Sequence, residues 1–234
     1  MDLIQLLILQ LIAHILTDFA FQQDKHSKEK NQLGFRSKFM KWHILIAFVL
    51  SWLLSFQLYF VFASFSIMLI HFLIDGLKKS MSNSSILVKY VFFIDQFLHL
   101  FFITVIVLAY HQVFGIRLSV NVLFTTKCLA IIAAYLISTK PANVLIKEVF
   151  NVFEINVTNQ SELPNAGKLI GILERWMVLT FILVNQFEAV GFLIAAKSIL
   201  RYKDDATIKT EYVLIGTMLS FGIAVAFGVL INQF

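Results

Sequence analysis

The chain is poor in almost everything that marks a soluble domain. Charged residues make up 14% of its 234 positions, against about 25% in an ordinary globular domain. It has one cysteine, Cys128, so no disulfide can form within the chain. Proline occurs twice and glycine nine times, so neither a Pro/Gly-rich disordered chain nor a disulfide-stapled secreted scaffold fits. What it has instead is apolar bulk: 59% hydrophobic residues, 25 of the side chains Phe, and a mean hydropathy of +0.83. A core of ordinary size cannot absorb so many apolar side chains. The implied solvent is lipid, which excludes a soluble globular enzyme.

The pI near 9.3 raises the question of nucleic acid. The net charge is only +5, however, and the basic residues sit between apolar runs, where a membrane protein uses them for topology; nucleic acid is set aside as a partner. The first apolar stretch follows Met1 and Asp2 with no basic segment before it and no small-residue cleavage site after it, and it reads as a retained span.

A helix needs about 20 apolar residues to cross the bilayer core. Seven stretches qualify: 3–21, 42–57, 58–77, 90–110, 122–138, 169–200 and 212–231. They are apolar all round, without strand alternation, so the expected fold is an all-α polytopic transmembrane bundle of about seven spans. The second and third should form a tight hairpin near Ser55–Gln57. The run 169–200 would be roughly 48 Å long at 1.5 Å per residue, and it contains Glu174, Arg175, Asn185, Gln186 and Glu188, so it is expected to be broken or re-entrant. Two halves are expected, a four-span bundle over 1–111 and a second membrane half over 112–234, the polar segment 151–166 lying within the latter.

Orientation follows from Lys and Arg. With the N-terminus outside, twelve basic residues fall inside: Lys25, Lys28, Lys30, Arg36, Lys38, Lys41, Lys78, Lys79, Lys89, Lys140, Lys147 and Lys168. Five fall outside: Arg117, Lys197, Arg201, Lys203 and Lys209. An N-out multi-pass protein of a cytoplasmic membrane is expected. The basic loop 22–43 reads as a solvated face; its functional alternative is a dock for a cytosolic partner or anionic lipid.

The chemistry is carried by one repeated spacing. His14-x-x-x-Asp18, His71-x-x-x-Asp75 and Asp95-x-x-x-His99 lie in three different spans, and all three Asp within the spans have a His four residues away. Residues four apart share a helix face. The expected topology places all three pairs roughly 10–15 Å from the cytoplasmic ends of their helices, at 1.5 Å per residue. His43 opens the second span two residues after Lys41 and reads either as a ligand or as an interfacial histidine beside Trp42. Ionisable groups in a bilayer cost about 2.5–3.5 kcal/mol each on insertion scales and therefore call for partners. Three partners are open: a divalent metal, a proton pathway, or one another as structural glue. The metal reading is favoured, with His14, Asp18, His43, His71, Asp75, Asp95 and His99 as ligands or their orienters. Zinc is the first choice, with manganese and iron as alternatives. Six or seven such groups exceed one tetrahedral shell, so some orient the others or two metals bind.

Asp18, Asp75, Glu174 and Arg175 are the candidate catalytic groups: a carboxylate free of the metal as general base, and the guanidinium against developing negative charge. His26 is expected to be solvated and His111 to lie at the opposite face. Gln22, Gln23 and Gln96 lie close to the pairs. Lys197 and Arg201 are one turn apart and read as snorkelling residues, with an anion-binding pair as the alternative.

These residues resemble a known pattern. LIAHILTDFAFQ (11–22), WHIL (42–45), HFLIDGLK (71–78), IDQFLHL (94–100), GKLIGILERW (167–176), FEAVGFLIAAKSILRY (187–202) and TEYVLIGTMLSF (210–221) are similar to a family of bacterial inner-membrane proteins catalogued as a domain of unknown function, some of them encoded beside SatD-like proteins. The resemblance implies a multi-span membrane protein and adds Lys197, Arg201 and Glu211 to the pattern beside Glu174 and Arg175. It implies no activity. The residues themselves lead to a membrane-embedded metal-dependent hydrolase acting near the inner leaflet on a lipid-linked or membrane substrate. The alternatives are a proton- or divalent-cation-coupled transporter or channel, and a membrane partner of a cytosolic regulator, alone or as a homo-oligomer.

Overall fold

The computed structural model describes residues 1–84, 87–116, 124–155, 166–201 and 207–233, with side chains described except at 200–201 and 207–210. Among the described residues all regular structure is helical. Arg117, Lys203 and the side chains of Arg201 and Lys209, which entered the sequence reading, lie outside the described residues.

Helix α1 (Leu3–Ile15) starts on a reciprocal cap: Gln5 N donates to Asp2 Oδ1 at 2.7 Å and Asp2 N donates to Gln5 Oε1 at 3.0 Å. It runs on into a π-helical turn, Leu16–Ala20. Helix α2 (Asp24–Leu33) is short and polar. Helix α3 (Lys38–Ser55) begins beside Glu29, whose Oε1 accepts from Ser37 Oγ at 2.9 Å and Lys38 N at 3.1 Å. The Ser37 hydroxyl, with the α3 amides of Lys38 and Phe39, holds the Glu29 carboxyl below its ordinary pKa. Phe56, at φ 54°, turns the chain into the 3-10 turn Leu58–Phe60 and helix α4 (Val61–Ser82), the expected tight hairpin. Helix α5 (Val91–Phe114) ends at Gly115. Helices α6 (Thr126–Ile137), α7 (Lys140–Val152), α8 (Ala166–Leu183), α9 (Phe187–Arg201) and α10 (Thr207–Asn232) complete the chain.

Among the described residues, five helical stretches are long and apolar enough to cross a membrane: Leu3–Ala20, Lys38–Ser55, Leu58–Ser82, Val91–Phe114 and Glu211–Asn232. A sixth arises if α6 and α7, bent by 50°, form one broken span. Seven were expected. The stretch over 122–138 yields a helix of only 12 residues, about 18 Å at 1.5 Å per residue. The long run 169–200 is broken, as its polar residues suggested: α8 stops at Leu183, and Asn185 takes φ 60° before α9. α8 also carries Lys168, Glu174 and Arg175, more charge than a lipid-spanning helix of 18 residues normally holds.

The chain forms two compact units, Met1–Leu129 and Ala130–Phe234. In the first, α1, α3, α4 and α5 form a four-helix bundle: α3 packs on α1 and α4, and α5 on α4 and α1. Its apolar core, Leu6, Phe60, Ala63, Ile67, Ile103 and Val107, fills one half of the bundle. Leucine, valine and phenylalanine side chains such as Leu45, Phe62, Leu69, Phe97 and Val105 stand exposed on the outside, where lipid replaces water. The other half of the bundle is filled by polar side chains.

α2 folds back over that polar half and rests on α4. The fold-back depends on two glycines. Gly34 takes φ 57°, and a Cβ there would come within 3.0 Å of Gly76 O. A Cβ on Gly76 would fall 1.9 Å from Phe35 Cε1. The bare backbone of Gly76 lets the Phe35 ring lie on α4, edge-on to Phe72 at 5.0 Å.

In the second unit, α8 packs on α10 through Val178, Ile182, Phe221 and Ala224. Arg175 holds the α6–α7 break. Its Nε donates to Ser138 O at 2.8 Å, Nη1 to Ser220 Oγ at 2.9 Å, and Nη2 to Asn143 Oδ1 at 2.7 Å and Thr139 O at 3.3 Å. The carbonyls freed by a bent helix are thereby satisfied.

Candidate metal centre

Each helix of the first unit brings a polar stripe at four-residue spacing to the bundle axis. α1 and its π turn bring Gln10, His14 and Asp18; α3 brings His43, Ala47, Ser51 and Ser55; α4 brings Ser64, His71 and Asp75; α5 brings Asp95 and His99. All are buried, His43 completely. The π turn matters for Asp18. Phe21 N reaches back five residues to Leu16 O at 2.8 Å, and the widened turn re-aims the carboxylate between two sets of neighbours. Such turns recur at functional sites.

Four donor atoms converge from three helices. His43 Nε2 and His71 Nε2 are 3.0 Å apart. Asp18 Oδ1 lies 3.0 Å from His71 Nε2 and 3.4 Å from His43 Nε2. Asp75 Oδ2 lies 3.1 Å from His43 Nε2 and 3.8 Å from His71 Nε2. Each imidazole nitrogen carries at most one hydrogen, yet His43 Nε2 faces two carboxylate oxygens and a second imidazole nitrogen within 3.4 Å. Hydrogen bonds to both carboxylates cannot satisfy the quartet without setting two N–H groups against each other at 3.0 Å. A cation at its centre can: tetrahedral zinc with bonds of about 2.0–2.1 Å needs donor atoms about 3.3–3.4 Å apart.

A second layer surrounds Gln96. Its Nε2 donates to Asp95 Oδ2 at 3.1 Å and Asp18 Oδ2 at 3.4 Å, and its Oε1 lies 3.3 Å from His14 Nε2. His99 Nδ1 is 2.9 Å from Asp95 O. The ring of His99 lies 4.1 Å from that of His71 and 5.2 Å from that of His14.

Two lysines complete the site. Lys30, delivered by α2, is buried and donates to Asp75 Oδ2 at 2.6 Å; Lys78 donates to Asp95 Oδ2 at 2.7 Å. With neutral imidazoles, Asp18, Asp75 and Asp95 against these two lysines leave one net negative charge in the bundle. The arrangement can accept a divalent cation with little electrostatic penalty.

Seven sequence-derived ligand candidates, His14, Asp18, His43, His71, Asp75, Asp95 and His99, are therefore one cluster. Gln96 belongs to it as well. The solvated reading of the 22–43 loop fails at Lys30, because α2 turns that side chain inward. His26 is half-buried, its ring stacked on Phe39 at 4.2 Å. Glu174 and Arg175 lie in the second unit. Glu174 accepts from Lys197 Nζ at 2.5 Å, Lys197 also lies over the Phe221 ring at 5.6 Å, and the donors of Arg175 serve the helix break. Lys197 thus has a carboxylate and an aromatic partner.

Beyond the histidines the polar stripe continues for one more layer. Ser51 Oγ donates to Gln10 Oε1 at 2.7 Å, Gln10 Nε2 donates to Ser51 O at 3.0 Å, and Ser64 Oγ is 3.1 Å from Ser51 Oγ. A cavity of about 10 Å³, bounded by Gln10, His14, Ser51 and His71, joins this layer to the cluster and has room for roughly one water. One turn further on, Leu6, Phe60 and Val107 close the bundle. The hydroxyl layer escaped the sequence reading, although the i, i+4 stripe from His43 through Ala47 and Ser51 to Ser55 carried its signal.

The model of one family, described as protein of unknown function (DUF3307), matches residues 6–143. That stretch contains the whole histidine–aspartate cluster with both its lysines. Neither the curated proteins nor the solved structures include a match. The chain belongs to the DUF3307 family.

Proposed function

We propose that the protein is a membrane-embedded hydrolase dependent on a divalent metal, with zinc the first choice, held by His43 Nε2, His71 Nε2 and Asp18 Oδ1. The observation that carries this reading is the spacing of the donor quartet, 3.0 to 3.8 Å along its measured edges. Bound zinc would supply a water whose pKa falls to about 7. Asp75 is the fourth corner. Because Lys30 already holds its Oδ2, Asp75 serves this reading as the general base that takes the proton of that water, not as a fourth permanent ligand. Hydrolysis then adds hydroxyl to one product and the proton to the other. Lys30 and Lys78 are the nearest cations for developing negative charge.

The apolar exterior of the bundle supports a bilayer environment. With the N-terminus outside, as the Lys/Arg distribution favours, the cluster sits at inner-leaflet depth under the flap formed by α2. The substrate class is accordingly a lipid-linked or membrane-embedded molecule of a bacterial cytoplasmic membrane.

Metal analysis of the full chain, purified in detergent without a nickel column, tests the reading. Wild type should carry about one or more equivalents of zinc, manganese or iron, and folded His43→Ala and His71→Ala variants should each carry one equivalent fewer. The same protein in vesicles of bacterial lipid extract should cleave a component of that extract. Wild type free of metal after resupply would overturn the proposal.

A proton- or cation-coupled transporter is the second reading. The Gln10–Ser51–Ser64 layer and its single-water cavity favour it, since they extend the polar track past the histidines. The apolar layer of Leu6, Phe60 and Val107 weighs against it.

A further inference from the structure

We propose that the cluster holds a second divalent cation, bound by Asp95 Oδ1 and His99 Nε2 and sharing Asp18 with the first as a bridging carboxylate. This rests on the metal reading above and extends it from one ion to two.

The argument starts from tautomers. A main-chain carbonyl only accepts, so the 2.9 Å contact between His99 Nδ1 and Asp95 O fixes the hydrogen on Nδ1. His99 Nε2 is then a bare lone pair. It is buried, and no donor reaches it. A backbone carbonyl that fixes one ring nitrogen so that the other can ligate is the usual outer-shell device of metal-bound histidines.

Asp95 shows the same imbalance. Its Oδ2 accepts from Lys78 and Gln96, while its buried Oδ1 has no partner. Gln96 carries the logic to His14. The amide nitrogen of Gln96 faces two carboxylates, so its Oε1 accepts from His14 Nε2, and the hydrogen of His14 sits on that nitrogen. His14 Nδ1 becomes another buried lone pair without a donor, 4.0 Å from Asp18 Oδ2. His99 Nε2, Asp95 Oδ1 and His14 Nδ1 are therefore three bare buried acceptors on residues clustered with Asp18, each costly to leave unsatisfied. A cation satisfies all of them together.

Distances allow it. Asp18, Asp95 and His99 each offer a donor atom within 4.8 Å of the others. The ring of His14 stacks on that of His99 and is the fourth ligand at hand. Asp18 presents Oδ1 to the His43–His71 side and Oδ2 to this side, which is how a carboxylate bridges two ions. The second set is richer in oxygen than the first, a donor balance that suits manganese better than it suits zinc. Two adjacent cations are the arrangement that clamps both the attacking and the leaving oxygen in phosphoryl hydrolysis.

The test is manganese titration of metal-depleted, full-length protein in detergent, read by bound-ion stoichiometry and electron paramagnetic resonance. Wild type should bind two manganese ions per chain and give an exchange-coupled spectrum. His99→Ala and His43→Ala should each bind one and give an uncoupled spectrum. One ion in wild type, unchanged by His99→Ala, overturns the second site and leaves the first. Two ions without exchange coupling overturn the Asp18 bridge. No bound ion in wild type overturns the metal reading itself. The wild-type spectrum decides the bridge even where a variant fails to fold.

Discussion

Lys30 Nζ lies 2.6 Å from Asp75 Oδ2, both side chains buried, although Lys30 comes from the most polar helix of the chain. Removing one partner of a buried ion pair strands the other, at a typical cost of about 3–5 kcal/mol. Lys30→Ala should therefore lower the melting temperature of the metal-free protein by several degrees. Bound metal supplies a replacement positive charge beside Asp75, so the same substitution should cost much less in the loaded protein. Thermal unfolding in detergent, with and without zinc, checks this. Equal losses in both states would mean that Lys30 acts by packing alone.

The roles of Asp18 and Asp75 should separate on mutation. Asp18→Asn removes a ligand and should abolish metal binding. Asp75→Asn leaves His43, His71 and Asp18 in place, so metal should be retained while turnover falls by roughly 10²–10⁴, the usual contribution of a general base. Metal content and lipid-cleavage rate measured on the same preparations decide it. Metal loss in Asp75→Asn would make Asp75 a ligand and close the shell.

These two assignments also mark how far the sequence can be read. The i, i+4 pairs named residues that do come together, but not the partners they meet. Within a helix, His14 and Asp18, His71 and Asp75, and Asp95 and His99 approach only to 4.0, 3.8 and 3.7 Å. The close contacts run between helices, from His71 to Asp18 and from His43 to Asp75, at 3.0 and 3.1 Å. Residues one turn apart stand side by side and point together at the axis; their tips meet those of facing helices. Spacing reveals the shared face but not the register between faces. His43, which has no aspartate at four residues, stayed ambiguous in the sequence between a ligand and an interfacial histidine. Lys30 was not legible at all, because the fold-back of α2 rests on one steric fit, Phe35 over Gly76.

That fit gives the third prediction. A methyl group on Gly76 would fall 1.9 Å from the Phe35 ring, so Gly76→Ala should lift α2 from α4 and withdraw Lys30 from Asp75. Overpacking of this kind costs about 1–3 kcal/mol. With Cys128 replaced by Ser, a cysteine at position 30 should be protected from a membrane-impermeant maleimide in the parent. It should become reactive in the Gly76→Ala background. Phe35→Ala alone opens the same contact by deletion and should give the same exposure.

Arg175 should behave as a structural residue. Its guanidinium ties the α6–α7 break to Asn143 and Ser220, and a lysine cannot reproduce that fork. Arg175→Lys should lower the melting temperature while leaving the metal stoichiometry at its wild-type value. A loss of bound metal in still-folded protein would return Arg175 to the functional site.

The last prediction separates enzyme from transporter. A transport path needs polar groups or water from one face to the other, and the polar stripe of the first unit runs from the lysines through the histidines to Gln10, Ser51 and Ser64. There it meets Leu6, Phe60 and Val107, all fully buried and packed in one cluster. These three side chains offer no ligand to a proton or a dehydrated divalent ion, and a bare charge against them is unfavourable by many kcal/mol. Proteoliposomes containing the wild-type protein should therefore show neither proton nor zinc flux above empty liposomes, under a pH gradient or a membrane potential. Phe60→Ala, which shortens the plug while leaving the metal ligands untouched, should retain metal and permit water and proton leak. Flux in wild type that disappears in His71→Ala would overturn the hydrolase proposal, since the apolar layer would then have to open during a transport cycle with the metal cluster as its binding site.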